Sequence, residues 1–415
     1  MRVSGRRHRP APARRALVGL ILGAALAVTA GCSGKGGTPS WQGGGSGGGD
    51  GSTQSQEPPG PQLGAAVTRP APDSSGAPIT TGVAFTTELA TGEPKVEVTD
   101  PNGNAVPGRL AADGKSWQPN RSLRWGTRYT VAITVTGEDG KTATATSTFT
   151  TMAKPAKLVR VSTQIGDHAV VGVAMPLIVN FGRPIPQKLR DDVQRRMSVT
   201  AVPAQPGAWH WLSGTEVQYR PKKFWAANTK LTYRVDVEGL PLGDGWYGGP
   251  TLSVVASVGP ALVMTVDNRT KQMTVTRDGR VVRTIPVSLG KPKTPSSSGT
   301  MVVMEKLRKT IFDTYRELGP EEGYRVKIDY AQRLTWGGEF IHSAPWSVAD
   351  QGRRNVSHGC INMSPENAAW LFNQTRIGDP VIVKGTEVRL SQGNGWTAWN
   401  LSWDEWVRGS ALPVE

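Results

Sequence analysis

Residues 341–362 read IHSAPWSVADQGRRNVSHGCIN, and this stretch carries Cys360, His342 and His358. The whole chain has two cysteines and five histidines. A thiol attacks a substrate as the thiolate, so it needs a base or a positive field beside it. Gly359 lets the backbone approach a substrate closely, and consecutive amides around it are able to point at a developing oxyanion. The stretch therefore predicts a cysteine nucleophile served by a histidine.

Composition indicates β-rich modules joined by flexible linkers. The chain has 415 residues, with 50 glycines and 31 prolines, and long helical periodicity is nearly absent. The net charge is +15, and six of those charges are arginines before residue 16, which leaves about +9 beyond them. A basic exterior favours an anionic lipid or an acidic polymer, although a basic surface without a partner is equally compatible. No basic helix or base-stacking motif indicates nucleic-acid binding.

The N-terminal part has the pattern of an exported protein. Residues 1–31 combine a basic start with a short apolar run, which predicts a signal peptide exported by the general or the twin-arginine route. Val-Thr-Ala-Gly before Cys32 resembles a bacterial lipobox, so we expect Cys32 to carry lipid; ordinary signal cleavage nearby is the alternative. Residues 32–62 are rich in Gly, Ser, Pro and Gln and predict a disordered, lipid-anchored linker.

Two β modules are predicted next, at residues 63–152 and 153–258. In the first, short alternating stretches at 82–87, Lys95–Thr99, 129–136 and 142–150 are separated by turn residues, which is typical of a sandwich. The alternating pattern that starts at Tyr129 recurs at Leu231, shifted by 102 residues, and so indicates two related modules. We expect their tryptophans to lie in the core or between modules: Trp117, Trp125, Trp209, Trp211 and Trp225.

Residues 259–386 form the predicted catalytic domain, and residues 387–415 a tryptophan-rich C-terminal subdomain. Strands are predicted at 262–266, 272–276, 280–288 and 380–383. A short helix is predicted at 367–372, with Ser364 as its N-cap. In the tail, we expect Trp396, Trp399, Trp403 and Trp406 to dock on the body of the protein.

His342, a fourteen-residue spacer and Ser357-His358-Gly359-Cys360-Ile361-Asn362 together resemble the motif of the L,D-transpeptidase family. The segment HSAPWS, the lipobox-like start, the two β modules and the tryptophan-rich tail resemble its actinobacterial, mycobacterial-type members. The resemblance implies a mainly β protein: two immunoglobulin-like sandwiches, then a β-rich catalytic domain with a lid.

The resemblance also implies an activity. These enzymes crosslink peptidoglycan: the cysteine attacks the third residue of a donor tetrapeptide stem, releases D-alanine, and passes the acyl group to a meso-diaminopimelate amine, which forms a 3→3 crosslink. The implied partners are stem peptides, carbapenem inhibitors and, through the N-terminal lipid, the outer face of the cell membrane. We expect no cofactor, no metal and no nucleic acid.

Residue roles follow from the same resemblance. Cys360 is the implied nucleophile, His342 its base, and Ser343 the residue that orients His342 through its backbone carbonyl. The backbone amides of His358, Gly359 and Cys360, together with Tyr324, are the implied oxyanion hole. Asn362 is expected to support the loop, and Gly338 to contribute to substrate binding.

Two residues depart from the family pattern. Phe312 replaces a frequent methionine in the lid. Glu339 places a charge where relatives often have an apolar residue; because Glu339 alternates with Phe340, we expect it to face solvent.

Three other functions stay open. The alternatives are an L,D-carboxypeptidase that hydrolyses the same thioester, a zinc site built from His342, His358 and Cys360, and a non-catalytic wall-binding protein.

Overall fold

The computed structural model describes residues 62–414, without the side chains of residues 316–318 and 322. The predicted signal peptide, Cys32 and nearly all of the predicted linker lie outside the described residues. In the part of the chain that is described, none of the helices is long and apolar enough to span a membrane.

The first sandwich packs two four-stranded sheets over one core, in the orders β1-β3-β6-β5 and β2-β8-β7-β4. Its strands are β1 (Gly64–Arg69), β2 (Ser74–Ala77), β3 (Val83–Glu88), β4 (Lys95–Thr99), β5 (Gly108–Leu110), β6 (Ser116–Pro119), β7 (Arg128–Thr136) and β8 (Thr142–Thr151). Alternate residues of β7, such as Val131 and Ile133, pack against Phe85 of β3 because successive side chains of a strand face opposite ways. All four strands predicted here are present, with ends within one residue of the prediction.

The second sandwich repeats this plan with sheet orders β10-β12-β15-β14 and β11-β18-β16-β13, plus the pair β17-β9. Its elements are β9 (Leu158–Val159), β10 (Val161–Thr163), β11 (Ala169–Val171), β12 (Leu177–Phe181), the 3₁₀ turn Gln187–Leu189, α1 (Arg190–Gln194), β13 (Met197–Val202), β14 (Gly207–Trp211), β15 (Glu216–Pro221), β16 (Lys230–Val235), β17 (Tyr247–Gly248) and β18 (Leu252–Val258). β16 begins 102 residues after β7 and buries Leu231, Tyr233 and Val235, as the repeat predicted. Trp209, Trp211 and Trp225 lie in its core.

The third domain contains two sheets, in the orders β21-β20-β19-β27-β22-β28 and β23-β24-β25-β26. Its elements are β19 (Leu262–Asp267), β20 (Gln272–Arg277), β21 (Arg280–Pro286), β22 (Ser297–Val302), β23 (Glu305–Asp313), α2 (Tyr315–Glu322), β24 (Arg325–Arg333), β25 (Phe340–Ser343), the 3₁₀ turn Pro345–Ser347, β26 (Ile361–Met363), α3 (Pro365–Gln374), β27 (Pro380–Lys384), β28 (Val388–Arg389), the 3₁₀ turn Ala398–Asn400 and α4 (Trp403–Val407). The predicted helix is α3, and the Ser364 hydroxyl caps it by accepting from the Asn367 amide at 3.3 Å.

The C-terminal segment docks on the second sandwich, as predicted. Trp406 of α4 is fully buried; its ring stacks on His210 of β14 at 4.5 Å and its Nε1 donates to the Ala208 carbonyl at 2.9 Å. Trp399 Nε1 donates to the Ala174 carbonyl at 2.7 Å. These contacts tie the end of the chain to the module that precedes the third domain.

The second sandwich and the third domain also touch through their backbones. The Gly172 amide donates to the Ile377 carbonyl at 2.8 Å, and the Ala174 amide to the Gly378 carbonyl at 2.9 Å. A Cβ on Gly172 would lie only 2.1 Å from the Asp379 nitrogen, so this position admits no side chain. Asp379 itself is fully buried, and burial raises the pKa of its carboxyl to about 7 despite the nearby Arg376 and Lys306.

We predict that Asp379→Asn raises the melting temperature more at pH 8 than at pH 5. Because the pKa of Asp379 is higher in the folded than in the unfolded chain, the stability that it contributes is present at low pH and falls as pH rises through about 7. Asparagine mimics the protonated side chain at every pH. Thermal unfolding at both pH values tests this, with exposed Asp329→Asn as control. An equal change at both pH values would contradict it.

Candidate active site

A parallel strand pair brings the predicted nucleophile and base together. β25 and β26 pair in parallel, with His342 directly opposite Asn362, and Cys360 stands immediately before β26. Cys360, His342 and Asn362 line one cavity of about 520 Å³, together with Tyr324 and His358. Five residues that the sequence analysis assigned to the site thus share a single pocket.

Cys360 and His342 are both buried, at 8 % and 4 % exposure. The Cys360 thiol donates to the Gly338 carbonyl at 3.6 Å. Burial, which disfavours charged forms, raises the pKa of the thiol to about 12 and lowers the pKa of His342 to about 4. The pair therefore rests as a neutral thiol and a neutral imidazole, and the thiol must lose its proton during the reaction itself.

The hydrogen bond of His342 determines which of its nitrogens acts as a base. Nδ1 lies 2.8 Å from the backbone oxygen of Ser343, the contact that the family resemblance implies. A carbonyl oxygen only accepts, so Nδ1 carries the proton and Nε2 keeps its lone pair. Ser343 is itself buried, and the contact holds the ring in one orientation and one tautomer.

The loop before the nucleophile is held by two serines. Ser357 Oγ donates to the Cys360 carbonyl at 2.7 Å and accepts from the Gly359 amide at 3.1 Å. Ser296 Oγ donates to the Gly359 carbonyl at 2.7 Å. Gly359 has φ +119°, a conformation that other residues rarely adopt. Because the Gly359 amide is engaged within the loop, the amides of His358 and Cys360 remain as the oxyanion candidates.

Tyr324 and His358 lie together at the mouth of the cavity. Their ring centroids are 5.3 Å apart, and Lys291 Nζ lies 3.0 Å from His358 Nε2. An ammonium group only donates, so His358 Nε2 accepts in this contact. His358 therefore shapes the mouth of the cavity and, like His342, carries its proton on Nδ1 when neutral. Burial raises the pKa of the Tyr324 hydroxyl, so it stays protonated and able to donate.

Asn362 presents a polar group to a substrate. Its Nδ2 donates to Ser347 Oγ at 3.2 Å, which braces the crossover between β25 and β26. Its Oδ1 is buried and has no partner among the described residues. Buried acceptors are costly when unpaired, so a substrate N–H entering the cavity would recover a hydrogen bond there.

The remaining wall of the cavity is apolar. Phe312, near the end of β23, lies 4.6 Å from the Phe340 ring and meets His342 edge to face at 5.3 Å. Val326 and Ile328 of β24 extend this wall. Helix α2 joins β23 to β24 beside it, and Gly319 interrupts the helix with φ +75°. Phe312, whose effect the sequence left undefined, thus covers His342, the predicted base.

The prediction that Glu339 faces solvent is wrong. Its carboxylate accepts from Ser297 Oγ at 2.6 Å and from the Ser297 amide at 3.1 Å, and its partial burial raises its pKa. The alternation argument failed because β25 begins only at Phe340, so Glu339 belongs to the preceding turn. The carboxylate instead lies close enough to raise the pKa of the Cys360 thiol.

Other site residues were missed because distant segments supply them. Lys291 and Ser296 reach the nucleophile loop from 67 and 63 residues upstream, and Ser297 reaches Glu339 from 42 residues upstream. Nothing in their local sequence marks these contacts. Trp346 was quoted within HSAPWS without a role; it lines the cavity, is 56 % exposed and lies 6.1 Å from the His342 ring. Within residues 62–414, no group of three or more His, Cys, Asp or Glu side chains converges as metal ligands would.

Comparisons with known proteins match these features. A bacterial Ig domain model matches residues 76–241, and a model of the L,D-transpeptidase catalytic domain matches residues 262–383. L,D-transpeptidase 2 of Mycobacterium tuberculosis (strain CDC 1551 / Oshkosh) is 37% identical over 320 residues, which cover 76% of this chain and 78% of that protein. L,D-transpeptidase 5 of Mycobacterium tuberculosis (strain ATCC 25618 / H37Rv) is 34% identical, with 77% and 71% covered. A solved structure of the L,D-transpeptidase LdtMt1 with imipenem is 35% identical, with a TM-score of 0.47, and spans 55% of this chain and 100% of its own.

We predict that Glu339→Gln makes Cys360 react with iodoacetamide at lower pH. Glutamine keeps an oxygen for Ser297 but removes the negative charge that raises the pKa of the thiol. The pH profile of alkylation, followed by mass spectrometry, should therefore move to lower pH. Glu387→Gln, which removes an exposed charge elsewhere, is the matched control. An unchanged profile in Glu339→Gln would contradict the prediction.

Proposed function

The chain belongs to the L,D-transpeptidase family, and on that premise we propose that it forms 3→3 peptidoglycan crosslinks through a thioester on Cys360. The observation that supports this most is the shared cavity of Cys360 and His342, in which the Ser343 carbonyl leaves His342 Nε2 as a base. The substrates that we propose are a donor tetrapeptide stem and a second stem that offers a diaminopimelate amine.

The first half-reaction forms the acyl-enzyme. His342 Nε2 takes the thiol proton while Cys360 Sγ bonds to the carbonyl carbon of the third donor residue. The oxyanion that develops is placed near the amides of His358 and Cys360 and the Tyr324 hydroxyl. When it collapses, the bond to the terminal D-alanine breaks, and the departing amine takes the proton from His342.

The second half-reaction transfers the acyl group. The acceptor amine attacks the thioester, His342 takes a proton from that amine, and Cys360 Sγ leaves and recovers the proton. Water in place of the amine would give a carboxypeptidase. The apolar wall of Phe312, Val326 and Ile328 lowers the amount of water around the thioester, which favours the amine.

The low water content of the cavity also explains how the Cys360 thiol acts as a nucleophile although its pKa is raised. A free thiolate at rest would react with passing electrophiles, whereas the buried thiol stays neutral until a substrate carbonyl is in place. The proton then moves to a base held in the reactive tautomer, so no separate ionisation step is required.

Outside the active site, we propose an exported protein anchored by lipid on Cys32 at the outer face of the cell membrane. The linker at 32–62 and the two sandwiches would raise the catalytic domain toward the glycan layer. Deleting residues 63–152 would then lower crosslinking in cells without abolishing thiol reactivity of the purified protein.

We predict that purified protein mixed with disaccharide tetrapeptide yields a crosslinked dimer and free D-alanine, both absent with Cys360→Ala. Mass spectrometry of the products measures this. Free tripeptide alone would assign the carboxypeptidase instead. No product and no adduct on Cys360, in protein shown to be folded, would support a wall-binding protein.

We also predict that acylation by a carbapenem keeps its rate down to about pH 4. Imidazolium accepts no proton, and burial shifts the pKa of His342 from 6.5 to about 4, so the neutral base persists at lower pH than usual. The rate of adduct formation with imipenem between pH 3.5 and pH 8 tests this. An acid limb centred near 6.5, the ordinary pKa of a histidine, would contradict the lowered pKa of His342.

A further inference from the structure

A second cavity, which shares no lining residue with the pocket of Cys360, lies where the two sandwiches meet and has a volume of about 470 Å³. Five arginines line it: Arg109, Arg121, Arg195, Arg196 and Arg234. Arg109 and Arg121 come from the first sandwich and the others from the second. We call this set the arginine cleft. Asp236 is the one acidic residue in its described lining, so the cleft carries an excess of positive charge.

Two of the five arginines are already neutralised. Arg195 pairs with Asp191 and, at 3.7 Å, with Asp192 of α1. Arg234 lies 3.5 Å from Asp236, which also accepts from Thr251 Oγ1 at 2.6 Å. Their charges are therefore largely balanced within the second sandwich.

The other three arginines are unbalanced. The guanidinium groups of Arg109, Arg121 and Arg196 have no ion pair and no hydrogen bond with any residue between 62 and 414. Arg196 Nε is buried and still has no partner. Like charges gathered at one concave site repel each other, and a buried donor without a partner destabilises the folded state. An anion in the cleft would remove both costs.

The arrangement of donors favours phosphate over carboxylate. The three unbalanced arginines arise from three separate segments: β5, the loop after β6, and the turn after α1. A carboxylate is planar, and one guanidinium fork satisfies its two oxygens, whereas a phosphate offers oxygens in several directions and takes several forks at once. Nucleic acid fits less well, since no aromatic side chain in the lining is placed to stack on a base.

We propose that the arginine cleft binds a phosphate-bearing polymer of the cell envelope, through a phosphodiester or pyrophosphate group. The cleft is a cavity shared by two modules, not a flat basic face, and therefore suits a chain that enters it better than a bilayer surface. Because both sandwiches supply arginines, the ligand also bridges them, next to the contact between Trp125 Nε1 and Glu238 at 3.3 Å. This site is independent of the crosslinking chemistry at Cys360.

The test is isothermal titration of the full-length Cys360→Ala protein with inorganic tripolyphosphate at about 0.15 M salt, where weak surface charge effects are screened. Using the inactive variant separates this result from the proposed crosslinking activity. We expect one site, and a loss of affinity of at least about tenfold in the triple variant Arg109→Gln, Arg121→Gln, Arg196→Gln. A control variant that removes three exposed arginines of the third domain, Arg280→Gln, Arg353→Gln and Arg389→Gln, should stay within about twofold of the parent protein.

Three results would overturn the proposal: no binding of tripolyphosphate, an equal loss in the control variant, or citrate binding as tightly as tripolyphosphate. Retention on anionic phospholipid vesicles without binding of soluble tripolyphosphate would assign the cleft to a membrane and also overturn it. If the triple variant fails to fold, Arg121→Gln alone decides, because Arg121 is exposed in a loop; we expect it to weaken binding about threefold.

Discussion

The active site depends on one parallel strand pairing. β25 and β26 place His342 opposite Asn362, and the segment between them crosses over while its own side chains brace the pair. A parallel pair cannot be closed by a tight turn and needs a connection of a dozen or more residues. The fourteen-residue spacer of the motif is therefore a structural requirement. It lets His342 on β25 and Cys360, which immediately precedes β26, line the same cavity, while the crossover supplies Trp346 and Ser347.

Burial of Cys360 and His342 then determines their protonation states. Cys360 and His342, the proposed nucleophile and base, are both kept uncharged. The neighbours that fix them act through hydrogen bonds or ring contacts. The Ser343 carbonyl selects the tautomer of His342, Phe312 covers its ring, and the Gly338 carbonyl accepts from the thiol. Glu339 adds a negative charge at a distance and is itself stabilised by two hydrogen bonds from Ser297. The site resembles a preorganised neutral acid–base pair more than an ion pair.

Sequence patterns predicted what is local and periodic. Alternation placed the strands of the first sandwich, the 102-residue repeat identified β16 from β7, and Ser364 marked the start of α3. Contacts between distant segments left no such trace. The Ser297–Glu339 bond joins the first residue of β22 to the turn before β25, a strand of the other sheet. The engaged amide of Gly359 depends on a serine orientation that no spacing encodes. The orientation of Glu339 was predicted wrongly because strand alternation was applied one residue before the start of β25.

The docking of Trp406 on His210 has a mechanical consequence. The third domain is attached to the second sandwich at its beginning, through the chain itself, and at its end, through α4 and the tryptophans. Tension applied along the chain from its N-terminal side is therefore shared between these attachments and the backbone bonds of Gly172 and Ala174, and the connecting chain is not a single hinge. An enzyme that acts on a stretched polymer network would keep its nucleophile aligned under load through these contacts.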